Sequence, residues 1–340
     1  MLKKFLAREI VKHTVKRRFS IEFLEQKQVS QKNPYPNDSS FFYGGDSKGN
    51  AFITRMGFRE PEKRNEYGFD CYLAGLGYFS LTISPGEEGT GFQQGALHWI
   101  PVKTGNTWRI LFEGTLIDRN EKAHYCNTNL LFTGNHPIYE FGKSYDIRTI
   151  ADAIAAEKWT KQFCHQMKST KMIHYEQTGT LTGTILLDET PVKVTMPSRR
   201  GHSFGSFNWD NRDRHYRMTG TSVEGFHWSV TTIQWKFMKH LTVGFITYPD
   251  GSTDAIVDYP DEDAILNQKR LPDHGKISMT TRSGKIHHLE FLRKNEFNYL
   301  HDDKYGVKLS IGECRFDGAE GVGLVEFGYD LNKAGQFPTP

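Results

Sequence analysis

Residues 199–212 read RRGHSFGSFNWDNR, and the interpretation of this stretch decides the fold class. Within it, Gly201-His202-Ser203-Phe204-Gly205 fits the G-x-S-x-G pattern of the nucleophile elbow in α/β hydrolases. An elbow needs a helix after the serine, because the helix N-terminus and the next backbone N–H form the oxyanion hole. The residues that follow, SFNWDNRDRHYRMTG, show no apolar period of 3.6 residues. The sequence therefore argues against a nucleophilic Ser203 and against an α/β hydrolase fold.

Segments typical of β-strands flank this stretch on both sides. FFYGGDSKGNAFITRMGF (41–58) predicts two strands around a turn, and TWRILFEGTLI (107–117) alternates apolar and polar residues. LTVGFITYPDGSTDAIVDY (241–259) and KISMTTRSGKIHHLEFL (276–292) each predict a hairpin around a tight turn. Strands in succession with almost no helices between them favour antiparallel sheets, closed as barrels or packed as sandwiches. We therefore predict an all-β protein.

One segment between the strand blocks predicts a connecting helix. Residues 144–170 repeat apolar residues at i, i+4 spacing, namely Ala151, Ala155, Trp159, Phe163 and Met167. Asp146 or Thr149 could cap this helix. The predicted parts are a basic N-terminal helix over 1–28, a β domain over 29–148, the connecting helix over 149–170 and a second β domain over 171–335.

The N-terminal segment MLKKFLAREIVKHTVKRRF (1–19) is strongly basic. Residues 1–18 hold seven Lys or Arg residues and one acid, Glu9, so they carry +6 and the remaining chain −3 of the net +3. An acidic body excludes nucleic acid as a partner, because nucleic-acid binding requires a basic face. Three interpretations stay open: a helix docked on the body, a membrane-surface contact through residues 1–20, or a mitochondrial presequence.

The sequence indicates neither a membrane span nor a cofactor motif. No apolar run approaches the roughly 20 residues that cross a bilayer, and the four cysteines form no C-x-x-C pair. The 14 histidines show no H-x-H or H-E-x-x-H spacing, so no metal is predicted. The acidic GEEGTG (86–91) does not suit phosphate. We expect a cytoplasmic protein without cofactors, with peripheral membrane contact as the alternative.

Three stretches resemble the lipocalin-like superfamily of carotenoid 1,2-hydratases, AttH-like proteins, survival-factor-type lipid carriers and fungal pericyclases. They are HYEQTGTLTGTI (174–185), RRGHSFGSFNW (199–209) and CRFDGAEGVGLVEFGYD (314–330). The best match is an uncharacterised two-domain branch with a signature of roughly Arg-Asp-His-Ser-Trp-Gly-x-Arg-x-Trp. The resemblance implies two lipocalin-like β-barrels, an apolar cavity or cleft, hydrophobic ligands such as isoprenoids or polyketides, and no cofactor.

The central stretch matches this signature only in part. It agrees with the signature at Arg200, His202, Ser203, Gly205 and Trp209. Three positions differ: Gly201 replaces an acid, Phe204 a tryptophan and Phe207 an arginine. The missing acid and arginine put an acid/base pair at those positions in doubt, and Asp210 or Asp213 could compensate.

The candidate site residues follow from the stretch and from the strand before it. The acid/base candidates are His202, Asp210 and Glu176, because desolvation in an aromatic wall shifts the pKa of such groups. Glu176 shares its strand face with His174, or is simply exposed. The candidate ligand-binding residues are Arg200, Ser203, Phe204, Phe207, Trp209 and Trp228. The alternative is a polar network that pins the barrel shut.

The predicted function is the binding of a hydrophobic small molecule in an aromatic-lined cavity into which His202 points. Conversion of that molecule by a cofactor-free hydratase, isomerase or cyclase reaction is the enzymatic form of this hypothesis. A non-enzymatic lipid carrier that contacts membranes through the N-terminal helix is the first alternative. A structural interaction module is the second.

Overall fold

The computed structural model describes residues 2–15, 19–28, 35–58, 66–81, 84–85, 91–259, 273–301 and 304–332. Several predicted features lie outside these residues: positions 16–18 of the proposed membrane-contacting segment, the start of the first β domain at 29–34, and the end of the second at 333–335. The protein is mostly β, with 63% strand, which confirms the predicted fold class.

The helices are α1 Leu2–Val15, α2 Ile21–Leu24, α3 Phe141–Ser144, α4 Ile147–Ala156 and α5 Lys161–Ser169. The first twelve strands are β1 Pro36–Gly45, β2 Ala51–Phe58, β3 Glu66–Leu73, β4 Gly77–Ser80, β5 Ser84–Pro85, β6 Gln93–Gln94, β7 Leu97–Lys103, β8 Thr107–Asp118, β9 Ala123–Gly134, β10 Tyr139–Glu140, β11 Lys171–Leu187 and β12 Thr190–Ser206. The remaining strands are β13 Arg212–Ser222, β14 His227–Trp235, β15 Met238–Thr247, β16 Thr253–Asp258, β17 His274–Thr281, β18 Ile286–Arg293, β19 Phe297–His301, β20 Tyr305–Phe316 and β21 Ala319–Asp330.

Each of two sheets closes into an antiparallel barrel of eight strands. In barrel A the order is β11-β12-β1-β2-β3-β4-β8-β9, and β9 pairs with β11 to complete the circle. In barrel B the order is β18-β17-β16-β15-β14-β13-β21-β20, and β20 pairs with β18.

Alternation of apolar and polar residues builds the interior of barrel A. In β8 the predicted inner face, Trp108, Ile110, Phe112 and Leu116, is buried, whereas Arg109 and Glu113 are exposed. These side chains join an aromatic-rich core that also contains Phe42, Trp99 and Phe132. In barrel B a separate core surrounds Trp228 and Phe316. The period-two pattern therefore predicted strand faces correctly.

The predicted helical segments are each divided by a capping residue. Ser20 accepts a hydrogen bond from the Phe23 N–H, so α2 starts as a helix separate from α1. Thr160 accepts one from the Phe163 N–H, which starts α5 after the end of α4. A residue that caps a helix has an extended backbone, and this interrupts the helix before it.

Helix α1 is docked on α4. Ala7 and Val11 are buried in a cluster with Ala151, Ile154 and Phe163. Parts of strands β14 and β15 pack against the same cluster, as the predicted aromatic stripe of the connecting segment requires. No helix among the described residues is long and apolar enough to span a bilayer.

The chain divides into two compact units. The first comprises Arg18–Phe141 and Lys171–Phe207, and it contains barrel A. The second comprises Met1–Arg17, Gly142–Thr170 and Asn208–Pro340, and it contains barrel B. The predicted domain boundary at residue 171 differs from this division, because β11 and β12 pair with β9 and β1 to complete barrel A.

Candidate functional site

Strands β11 and β12 form a long antiparallel pair with two chemically different faces. His174 lies directly opposite Ser203, and the next pair along, Tyr175 and His202, is also directly opposed. Because successive side chains of a strand point to opposite sides, the pair Tyr175 and His202 faces the interior of barrel A. His174, Ser203 and Glu176 belong to its outer face.

Four outer-face side chains are joined in one hydrogen-bonded series, which we call the outer-face chain. Nδ1 of His174 lies 2.6 Å from Oγ of Ser203, and its Nε2 lies 3.0 Å from Oε1 of Glu176. Nη1 of Arg199 donates to Oε2 of the same glutamate over 2.8 Å. Glu176 and Arg199 are almost completely buried, whereas the side chain of His174 is 22% exposed. The outer-face chain thus runs from a buried ion pair to a half-buried serine.

The order of groups in the outer-face chain suits proton transfer. A carboxylate only accepts hydrogen bonds, so Nε2 of His174 donates to Glu176. Nδ1 then accepts from the Ser203 hydroxyl when the ring is neutral, and it can take up a proton because Glu176 stabilises the resulting imidazolium. Arg199 compensates the charge of Glu176 and fixes its orientation.

Two aromatic rings flank the outer-face chain. The ring of Phe141 lies edge-on to His174, with a centroid distance of 4.4 Å. The ring of Phe41 covers Gly201, where an added Cβ would lie 2.4 Å from Cζ of Phe41. A side chain at position 201 would therefore meet this ring.

Ser203 is not at a nucleophile elbow. It lies within β12, opposite Ser39 of β1 on one side and His174 of β11 on the other. The backbone around it is paired in both ladders, so its N–H groups are committed to the sheet instead of to an oxyanion. This agrees with the interpretation drawn from the residues that follow it.

His202 is buried inside barrel A, and both of its ring nitrogens have partners. Nε2 lies 2.8 Å from Oδ1 of Asp38, and Nδ1 lies 2.9 Å from the carbonyl oxygen of Leu24. These two contacts fix the position of the ring. Phe92, Tyr175 and Phe204 surround it, with ring centroids 4.9–5.7 Å away. This arrangement attaches residues 21–28, which we call the α2 segment, to the barrel.

Arg200 also points into barrel A. It forms an ion pair with Glu25, the residue after α2, and both side chains are 4% exposed. Its Nε donates to Gln177 over 2.8 Å, and its guanidinium lies over the ring of Trp108. The predicted ligand-binding arginine is thus bound to a carboxylate of the chain itself.

The other predicted residues are divided between the two units. Phe204 packs on Leu24 and Phe207 is buried, both in the unit of barrel A. In the other unit Trp228 is fully buried in the core of barrel B. Trp209 and Asp210 lie there in a 3₁₀ turn, and the exposed Asp210 pairs with Lys304 at 3.1 Å. Of the three acid/base candidates, His202 and Glu176 lie in the unit of barrel A and Asp210 in the unit of barrel B.

A second group of a hydroxyl, an imidazole and a carboxylate lies on barrel B. Nδ1 of His215 is 2.7 Å from the Tyr305 hydroxyl, and Nε2 is 2.5 Å from Oε1 of Glu326. Burial lowers the pKa of His215, and the charge of Arg212 adds to this effect. A neutral ring fits these contacts, because Tyr305 can donate to Nδ1 while Nε2 donates to Glu326.

Sequence reasoning missed several partners of the predicted residues. His174 could have been chosen, because period two places it on the strand face of Glu176. Asp38, Glu25 and Arg199 carry no such local signal as partners, because their contacts depend on pairing between distant segments. No group of three or more His, Cys, Asp or Glu side chains among the described residues is placed to hold a metal ion.

A cleft with a volume of about 560 Å³ lies in the unit of barrel B. It is bordered by α1, α4, β15 and β16, and its lining mixes basic side chains such as Arg8 and Lys239 with acidic ones such as Asp152 and Asp258. None of the predicted site residues lines this cleft.

Comparison with solved structures found chains that are similar to this one. NE1406 of Nitrosomonas europaea, an AttH-like protein, superposes with a TM-score of 0.57 at 12% identity over 92% of this chain and 96% of its own. CghA gives a TM-score of 0.49 at 9% identity, over 87% and 88% of the two chains. Kievitone hydratase of Nectria haematococca gives 0.47 at 7% identity, over 90% and 96%. No curated protein matches the chain.

The likeness to NE1406 shows a shared fold and confirms the predicted resemblance to AttH-like proteins. A family profile matches most of the sequence. Its match begins at residue 24 in α2 and ends at residue 329 in the last strand of barrel B. The chain therefore belongs to the family described as domain of unknown function DUF7064.

Proposed function

We propose that this protein catalyses the cofactor-free addition of water to, or its elimination from, a hydrophobic small molecule. The observation that carries the proposal is the outer-face chain, in which Ser203, His174 and Glu176 are joined by contacts of 2.6 and 3.0 Å. Its members are a hydroxyl, an imidazole and a carboxylate, which suffice for proton transfer. Phe41, which is half-buried beside Gly201, supplies apolar surface for the body of the substrate.

The imidazole favours a substrate whose double bond is conjugated to a carbonyl group. In the hydration direction, water adds to the carbon β to the carbonyl while one of its protons passes through the Ser203 hydroxyl to Nδ1 of His174. The enolate that forms then receives this proton at the α carbon, so one water molecule is added and the imidazole is regenerated. Glu176 stabilises the imidazolium between the two steps.

The test uses hydrophobic enones in water labelled with heavy oxygen. The purified chain is incubated with trans-chalcone and with 4-phenyl-3-buten-2-one, and the β-hydroxy ketone is detected by mass spectrometry. We expect incorporation of the heavy isotope, slowed in Ser203→Ala and unchanged in the control Asp210→Asn, whose carboxylate is exposed and paired with Lys304. Absence of labelled product with both enones, or equal rates in Ser203→Ala and the parent protein, would contradict the proposal.

A second candidate function is lipid transfer at a membrane surface, and the exposed side of α1 supports it. While Ala7 and Val11 pack on α4, four large apolar side chains of α1 are 43–71% exposed, namely Leu2, Phe5, Leu6 and Ile10. Lys3, Arg8 and Lys12 border this apolar strip on the helix surface. A helix with this pattern suits the interface of an anionic bilayer.

Vesicle sedimentation tests this second candidate. The full chain should sediment with vesicles of phosphatidylcholine and phosphatidylglycerol, less with phosphatidylcholine alone, and lose binding in Phe5→Glu. Val223→Glu is the matched control, because Val223 is also apolar and is 79% exposed in the turn between β13 and β14. Equal binding by Phe5→Glu and the parent protein would exclude α1 as the contact.

A further inference from the structure

The carboxylate of Glu25 lies inside barrel A and is bound by donors from three parts of the barrel. Oε1 accepts from Nη2 of Arg200 and, over 3.3 Å, from Nε1 of Trp108. Oε2 accepts from the backbone N–H of Gly105 over 2.6 Å. We call this set of donors the carboxylate cradle. Three donors aimed at two oxygens form a site shaped for a carboxylate.

The barrel itself positions the carboxylate cradle. Gln177 accepts from Nε of Arg200 over 2.8 Å and donates to the carbonyl oxygen of Gly105 over 2.8 Å. It therefore links the arginine on β12 to the turn between β7 and β8. Gly105 has a φ of +71°, a conformation that favours glycine and turns its N–H toward the carboxylate. None of these residues belongs to the α2 segment.

The surroundings of the carboxylate cradle are aromatic. The guanidinium of Arg200 lies 5.4 Å from the ring centroid of Trp108, 5.6 Å from that of Tyr175 and 5.9 Å from that of Phe132. Leu24 packs against Tyr175 and Phe204 beside it. A guanidinium beside an apolar wall is complementary to an acid that has an anionic head and an apolar body.

Glu25 reaches this position on a short segment instead of on a strand. Helix α2 has four residues, and Glu25 follows it directly. Two backbone contacts hold the segment, from His202 to the Leu24 carbonyl and from the Gln28 N–H to Asp38. Withdrawal of this segment would leave the donors in place and expose the faces of Tyr175 and Phe204.

We propose that the carboxylate cradle is a binding site for a small apolar carboxylic acid, whose place the chain's own Glu25 occupies. The acid would place its carboxylate on Arg200, Trp108 and Gly105, and its apolar body where Leu24 packs. None of these residues belongs to the outer-face chain, so this site can fail its test while the hydration proposal stands, and the reverse.

The first experiment removes the internal carboxylate. Thermal unfolding of full-length Glu25→Ala is followed with hexanoate and with the neutral hexanamide. We expect hexanoate to raise the melting temperature and to bind about tenfold or more tightly than hexanamide, because a charge-assisted contact to Arg200 is gained. The parent protein should respond less, since Glu25 competes.

Two further variants separate a ligand site from a structural ion pair. Glu66→Ala removes the carboxylate paired with Arg55 at 3.7 Å, which takes no part in the carboxylate cradle, and should not respond to hexanoate. Glu25→Ala combined with Arg200→Met should recover stability, because a buried pair is replaced by apolar groups, and should lose the hexanoate response. Equal responses to hexanoate and hexanamide in Glu25→Ala, or a response that survives in the double variant, would overturn the proposal.

If Glu25→Ala does not fold, hydrogen exchange of the parent protein tests whether hexanoate displaces Glu25 from the carboxylate cradle. Saturating hexanoate should accelerate exchange of the amides of residues 23–28, because the ligand displaces Glu25 and releases the segment. Hexanamide at the same concentration should leave these amides unchanged. Unchanged or slower exchange of residues 23–28 with hexanoate would show that Glu25 is a permanent part of the barrel.

Discussion

Nδ1 of His174 lies 2.6 Å from Oγ of Ser203, at directly opposed positions of β11 and β12. The neighbouring residue, His202, faces the other side of the same strand pair and is held by Asp38 and Leu24. The two histidines therefore differ in role. His174 is partly accessible and has a hydroxyl on one nitrogen, whereas His202 is buried and holds residues 24 and 38 in place. This distinction leads to the following predictions.

Replacement of His202 by alanine should destabilise the protein strongly. The change leaves Asp38 and the Leu24 carbonyl buried without their imidazole partner, so we expect a loss of about 1–3 kcal/mol in the free energy of unfolding. Denaturant titration measures this loss. His165→Ala, on the exposed side of α5, is the control and should cost about 0.5 kcal/mol or less. A small loss in the free energy of unfolding for His202→Ala would contradict this structural role and favour the predicted role of His202 in ligand binding.

Gly201→Ala should destabilise barrel A because of Phe41. The added Cβ would meet the Phe41 ring at 2.4 Å, and overpacking of this kind costs about 1–3 kcal/mol. In a Phe41→Ala background the same change should cost clearly less, which a double-mutant cycle measures. Gly142→Ala, with no atom within 4 Å of the new Cβ, is the control. Identical costs in both backgrounds would contradict this packing account.

Asp70→Asn should change how stability depends on pH. Burial raises the pKa of Asp70 to about 6 from 3.8, against the hydrogen bonds from Ser80 and Tyr78. Between pH 4 and pH 6 the folded state binds more protons than the unfolded state, so this carboxyl lowers stability as the pH rises.

Asn does not titrate, so the stability of Asp70→Asn relative to the parent should rise by up to about 3 kcal/mol from pH 4 to pH 6 and stay level above. Urea titrations of both proteins at several pH values measure the difference. A difference that is constant over this range would show that Asp70 titrates normally.

The sequence predicted strand faces well because alternation is a local property. Trp108 and Ile110 are inside and Arg109 is outside, as their order in the strand requires. It could not predict that β12 pairs with β1, because this pairing joins residues more than 150 positions apart. The domain boundary expected at residue 171 differed from the compact units for the same reason.

The same limit applies to the site. Adjacent residues of a strand point to opposite sides, so His202 and Ser203 cannot both face one ligand, but the order alone does not tell which of them faces inward. The contacts that His202 and Arg200 make with the α2 segment identify these two side chains as the ones that face inward. The four-residue helix of this segment is too short to leave a periodic pattern in the sequence.

The most direct test of the acid–base role compares His174→Gln with the parent protein in the hydration of trans-chalcone. We expect the variant to keep the parent melting temperature and to lose about 100-fold or more of the rate, because positioned proton transfer contributes about that factor. His98→Gln, a half-buried histidine of β7, should retain the parent rate. A folded His174→Gln protein that hydrates the enone at the parent rate would contradict the assignment of His174 as the acid–base residue.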